Sequence, residues 1–151
     1  MIGPSNEATG SFCIRRLDEL SAVRQWLHKA LSARRYGTHD TFAVRTGFEE
    51  AANNAITHGN EGDPAKAATI DLAVNEAKVE ITIQDEGPGF DYSHVEDPTA
   101  KENLLKDGGR GVMLIRNFMD EVHFNDTGNR IRLVKYRSGV PLPVRTDSAP
   151  S

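Results

Sequence analysis

Ile70, Leu72 and Val74 recur with a period of two, and the same period returns at Val79, Ile81 and Ile83 after only Asn75-Glu76-Ala77-Lys78. Side chains on a strand alternate between its faces, so each run reads as a strand with one apolar face. A connection this short suits an antiparallel hairpin, because parallel strands need a long crossover. The apolar face of such a hairpin needs a cover. A chain of 151 residues is long enough to supply one from its own helices, as a single compact domain.

Two helices are expected before the hairpin. Asp18 opens a segment in which Leu20, Val23, Leu27 and Leu31 recur at helical spacing. A second helix is predicted from about Asp40 to Thr57, with an apolar arc of Val44, Phe48, Ala51, Ala52, Ala55 and Ile56. Gly59 ends it within His58-Gly59-Asn60-Glu61-Gly62-Asp63-Pro64, a run dense in turn formers. Phe12 to Arg16 reads as a short strand ahead of both helices.

After the hairpin, residues from about Phe90 to Lys106 lack periodicity and read as a mobile loop; Val112, Ile115, Phe118 and Met119 then resume a helical pattern. Val122 and Phe124, then Ile131, Leu133 and Lys135, read as two closing strands around Asn125-Asp126-Thr127-Gly128-Asn129. This order implies an α/β fold, a two-layer sandwich in which a mostly antiparallel mixed sheet carries its helices on one face. The domain is expected over 12–137. The small, polar stretches 1–11 and 138–151 are expected to be flexible tails.

Composition narrows the function classes. A net charge of -4 argues against a nucleic-acid footprint, which needs a basic surface. No apolar run approaches the roughly 20 residues of a membrane-spanning helix, and no charged-then-apolar leader opens the chain, so the expected address is the cytoplasm. Cys13 is the single cysteine, which excludes an internal disulfide. Histidines 28, 39, 58, 94 and 123 are scattered without zinc-type spacing, and serine-hydrolase and cysteine-nucleophile motifs are missing.

Three clusters have chemical potential. Glu50, Asn54 and His58 are spaced by four, which puts them within roughly 80 degrees of one another on the second helix. Asp85-Glu86-Gly87-Pro88-Gly89 places an acid at a strand end before two glycines that let the chain pass close to a ligand. Gly108-Gly109-Arg110-Gly111 directly precedes the third helix, whose free N–H groups and dipole suit a phosphate. Taken singly, each has a plain alternative: a solvated helix face, an ordinary turn, a flexible loop.

In this order, Glu50-Ala51-Ala52-Asn53-Asn54-Ala55-Ile56-Thr57-His58-Gly59, Asp85-x-Gly87-x-Gly89 and Gly109-x-Gly111 resemble the N, G1 and G2 boxes of the GHKL ATPase superfamily. The nearer likeness is to bacterial anti-sigma factor serine kinases of the RsbW and SpoIIAB type, which the run Asn117-Phe118-Met119-Asp120-Glu121-Val122 also resembles. The resemblance covers roughly residues 12 to 137 and implies the Bergerat, histidine-kinase-like ATPase fold. It departs from the family at Lys106-Asp107, where Arg is usual, and at Asn129-Arg130-Ile131-Arg132, where the final strand is usually Thr-rich. Lys106 or Arg110 is the candidate replacement cation, the alternative being an ordinary exposed basic residue.

The resemblance implies a site that binds ATP with Mg²⁺. Asn54 would hold the Mg²⁺ bridging the phosphates, Asp85 would recognise the adenine amino group, and Gly87 and Gly89 would let the chain approach the base. Gly109 and Gly111, with the loop before them, would close over the phosphates as a lid, and Glu50 would act as general base toward a serine hydroxyl. The implied function is an anti-sigma regulatory serine/threonine-protein kinase acting on a STAS-domain anti-sigma factor antagonist, with a sigma factor as a second partner and a homodimer as the assembly. The alternative is a nucleotide-gated binding module that sequesters a sigma factor or another regulator with little kinase activity.

Overall fold

The computed structural model describes residues 7–89 and 109–139. Its strands are β1 (Ala8–Ile14), β2 (Ala68–Val74), β3 (Lys78–Gln84), β4 (Glu121–Phe124) and β5 (Arg130–Tyr136). Its helices are α1 (Leu20–Ala33), preceded by a 3-10 turn at Leu17–Glu19, α2 (Thr38–Asn54) and α3 (Gly109–Phe118). The strands form one sheet in the order β1-β2-β3-β5-β4, and among the described residues every pairing is antiparallel where a mixed sheet was expected.

The hairpin expected from the two-residue period is β2 and β3. Ile70 faces Ile83, Leu72 faces Ile81 and Val74 faces Val79, and all six are buried. Asn75 sets the turn, its Oδ1 accepting hydrogen bonds from the N–H groups of Ala77 and Lys78 at 2.8 and 2.9 Å. β5 pairs on the far side of β3, Leu133 against Ile81 and Ile131 against Ile83, which extends the apolar face. Leu20, Val23, Leu27 and Leu31 of α1 and Val44, Phe48, Ala51 and Ala52 of α2 cover that face and are buried. Removing a ring such as Phe48, which is fully buried, costs about 3–5 kcal/mol in cores of this kind.

β1 begins at Ala8, four residues ahead of the expected start at Phe12. Ala8, Thr9, Gly10 and Ser11 show no apolar alternation; they are strand because β2 supplies the pairing, Ala8 opposite Val74 and Gly10 opposite Leu72. The glycine lets Trp26 of α1 pack close to the strand, since a Cβ on Gly10 would stand 2.8 Å from its ring. α3 lies along α2 by a similar device: Gly47 leaves room for Met119 Sδ, and Phe42 meets Phe118 edge to face at 5.6 Å. The expected loop over 90–106 lies outside the described residues. Among the described residues no helix is long and apolar enough to cross a membrane.

The start of α2 is tied to the residues that follow β5. Asp40, 3% exposed in the first turn, accepts hydrogen bonds from Ser138 N at 2.8 Å and Ser138 Oγ at 2.5 Å, with Lys135 Nζ 3.9 Å away. Arg137 donates to the Arg35 carbonyl at 2.8 Å and lies over the Tyr36 ring at 4.5 Å. The anchored chain therefore runs past the expected boundary at 137, through Ser138. Burial opposes ionisation of Asp40, but the two Ser138 bonds and the charges of Lys135 and His39 outweigh it and hold the carboxyl below its ordinary value.

Asp40→Asn is expected to cost about 1.5–3 kcal/mol at neutral pH, the range for hydrogen bonds to a charged group. A depressed folded-state pKa gives stability that is complete above about pH 4 and is lost as pH falls through the lower folded value. Urea unfolding of both proteins at pH 7 and near pH 3 checks this, with the gap between them narrowing in acid.

Candidate functional site

α2 ends in one wide turn, a π-helical segment over Ala55–Gly59, in which the Asn60 N–H reaches back to the Ala55 carbonyl at 2.8 Å. Turns of this type carry one residue more than an α turn and are frequent at functional sites. Here the turn swings Asn54, His58 and Gly59 toward the exits of β3 and of the β4–β5 connection. The chain then reverses through Glu61 and Gly62, both at positive φ.

Glycines let these segments meet. A Cβ on Gly59 would stand 2.2 Å from Asp85 Oδ2, and a Cβ on Gly87 would stand 1.8 Å from the Gly59 carbonyl oxygen. Gly89, at φ +84, approaches the β4–β5 turn so closely that a Cβ would lie 1.7 Å from the Thr127 carbonyl oxygen. Hydrogen bonds lock the junction: Asp85 N donates to the Asn129 carbonyl at 2.9 Å, Glu86 N to Asn60 Oδ1 at 2.8 Å and Gly87 N to Asp85 Oδ1 at 2.8 Å.

The result is a cleft between α2, α3 and the end of the sheet. Ile83, Ile115, Phe124 and Ile131 give it apolar walls, while Asn54, His58, Asp85, Asn129 and Arg130 stand on its polar side. An apolar slot with a few convergent polar groups is the usual form of a small-molecule site. The half-buried Asp85 carboxyl is pushed up from its ordinary value by burial, and the Gly87 N–H and the charge of Lys66 offset this only in part.

Asn54, Asp85 and Gly89 all line this cleft. Gly87 is buried beneath it against Gly59. Glu50 does not line it: it is half-buried one helical turn before Asn54, in an adjoining groove with Thr38, Thr41, Phe42, Arg45, Thr46 and Glu49. Gly109 and Gly111 do not precede the third helix but form its first turn, because α3 starts at Gly109. The rest of the expected lid lies outside the described residues. Sequence reasoning missed Asn60 and Asn129 as organising side chains, since both sit in runs of turn formers where an Asn attracts no notice.

Asp85→Asn is expected to raise the urea midpoint at pH 7. A carboxyl whose folded pKa is raised contributes its full stability only below its unfolded value near ~3.8, and that stability is lost as pH rises through the folded value. The advantage of the variant therefore shrinks as unfolding is repeated toward pH 4; a variant less stable than wild type at neutral pH contradicts the assignment.

Residues 14–135 match the histidine kinase-like ATPase domain. The anti-sigma F factor of Bacillus cytotoxicus is 41% identical over 101 residues, a stretch covering 63% of this chain and 68% of that protein. Those of Bacillus thuringiensis and Bacillus mycoides are 40% identical over the same shares. Among solved structures, the RsbU and RsbW domains of a Mycobacterium tuberculosis protein superpose with a TM-score of 0.54 at 14% identity, over 85% of this chain and 32% of that one, a likeness of fold. With two of the three motif segments gathered at one cleft and a matching family over nearly all the described chain, this protein belongs to the histidine kinase-like ATPase domain family, on its anti-sigma factor branch.

Proposed function

We propose that the cleft binds ATP with Mg²⁺ and that the protein is a cytoplasmic anti-sigma factor that phosphorylates a serine of a STAS-type antagonist, working as a homodimer. The observation that carries this reading is the convergence of Asn54, from the end of α2, with Asp85 and Gly89, from the exit of β3, on one apolar-walled cleft. The relatives named anti-sigma F factor support the regulatory part of it.

In this reading Asp85 accepts a hydrogen bond from the adenine amino group, and the base lies between Ile83, Ile115, Phe124 and Ile131. Asn54 suits a metal, because its half-buried side chain lines the cleft and makes no hydrogen bond to a described residue. Its amide oxygen would hold the ion, with waters completing the coordination. Bound Mg²⁺ would neutralise charge on the phosphate oxygens. Gly109 and Gly111 lie in the first turn of α3, whose free N–H groups and dipole would suit a phosphate.

Glu50 takes the proton of the serine hydroxyl as that oxygen attacks the γ-phosphorus, the bond to the β–γ bridging oxygen breaks and ADP departs. Its place in the adjoining groove supports this role, because a protein substrate can approach along the groove while nucleotide fills the cleft.

Label transfer from γ-labelled Mg·ATP to STAS-domain proteins of the same organism tests the reading. Wild type is expected to label one serine. Glu50→Gln is expected to lose at least about a hundredfold in rate while keeping ATP affinity, as removal of a general base predicts. Asn54→Ala is expected to lose both transfer and Mg²⁺-dependent affinity. ATP binding without any transfer would leave a nucleotide-gated binding module in place of a kinase.

The pH dependence has a defined sign. Asp85 accepts from adenine best when ionised, and its carboxyl is raised. Calorimetric titration is therefore expected to show ATP affinity falling as pH drops through that raised value, starting at a higher pH than an ordinary aspartate would allow, with Asp85→Asn flat over the same range.

A further inference from the structure

Asn60 is 1% exposed, yet only part of its hydrogen-bonding capacity is used. Its backbone caps the π turn, and its Oδ1 accepts the Glu86 N–H at 2.8 Å. Its Nδ2 has no partner among the described residues. The amide orientation is fixed, because the Glu86 N–H can only donate. For packing alone an apolar side chain would serve better at a site this buried, so the acceptor function explains the residue.

That acceptor acts on the peptide immediately after Asp85. The peptide before Asp85 is held by its own N–H on the Asn129 carbonyl at 2.9 Å, and the peptide after it by Glu86 N–H on Asn60 Oδ1. The two bonds together fix both backbone torsions of Asp85. Glu86 in turn reaches Ala67 N with Oε2 at 3.1 Å, which ties the segment following Asn60 to the same turn. Gly59 allows no room for Asp85 Oδ2 to move toward it, and Gly87 N–H holds Oδ1. Of the bonds that orient the carboxylate from outside its own turn, the one from Asn60 is made by a side chain and can be removed by substitution.

We infer that Asn60 is a positioning residue that aims the Asp85 carboxylate and thereby sets selectivity for a purine carrying a 6-amino group. The inference rests on the proposed nucleotide reading. Without the Asn60 acceptor the peptide after Asp85 can rotate, and the carboxylate loses its alignment with a donor on the base, whereas apolar contact and phosphate binding remain.

The test compares affinity for Mg·ATP with affinity for the Mg complex of purine riboside triphosphate, which lacks the 6-amino group, by calorimetry. Wild type is expected to favour ATP by about 10- to 100-fold, the range for a hydrogen bond to a charged acceptor. Asn60→Leu is expected to bring that ratio close to one by weakening ATP while leaving the analogue unchanged. If the leucine variant does not fold, Asn60→Ala has the same expectation. Equal weakening of both nucleotides, or an unchanged ratio, would overturn the inference. A wild type that binds ATP no better than the analogue would overturn the Asp85 reading itself.

Discussion

The approach of Gly87 to the carbonyl of Gly59 is the contact on which the site depends. A Cβ at Gly87 would come within 1.8 Å of that oxygen, so the end of α2 and the exit of β3 meet backbone to backbone. The second approach, Gly89 to Thr127, brings in the β4–β5 turn by the same means. With glycines at these approaches, three segments from distant parts of the chain close around one space. Side chains then hold the junction, Asn60 and Asn129 from its edges and Asp85 from within.

Several features at this end of the molecule oppose folding. Asp85 is pushed toward its neutral form by burial, Asn60 leaves a buried donor without a partner among the described residues, and Glu61 adopts a left-handed conformation. The opposite end of α2 behaves differently. There Asp40, Ser138 and Lys135 form a network that favours the charged, folded state. α2 has 17 residues, about 25 Å of helix, and its apolar face lies on the sheet along that length. One rigid element thus joins a stabilising anchor to a costly site, and the continuous core between them offsets the cost.

Much of this was legible in the sequence, for reasons that vary by element. Ile70 to Ile83 announced a hairpin because a two-residue apolar period has one geometric meaning when the connection is four residues. The arc Val44 to Ile56 announced the buried face of α2, and each of its named residues is buried. β1 was half hidden, because Ala8 to Ser11 owe their strand conformation to β2 and have no pattern of their own. Gly109 and Gly111 read as a loop, since glycine is a poor helix former, yet both lie in the first turn of α3.

The sequence by itself determined the elements, the apolar faces and the family, because periodicity and motif spacing are properties of neighbours along the chain. Asn54, Asp85 and Gly89 could be named from it, and the fold brings them to one cleft. Only the tertiary structure separated Glu50 from that cleft, although Glu50 and Asn54 lie on one helix a single turn apart. It also gave Asn60 its task, since an asparagine in a turn acquires a role only when another backbone, here that of Glu86, arrives within hydrogen-bonding distance. Which segments meet is decided by the packing of α2 and α3 on the sheet and by glycines that allow backbones to touch, and neither is encoded in any local stretch of residues.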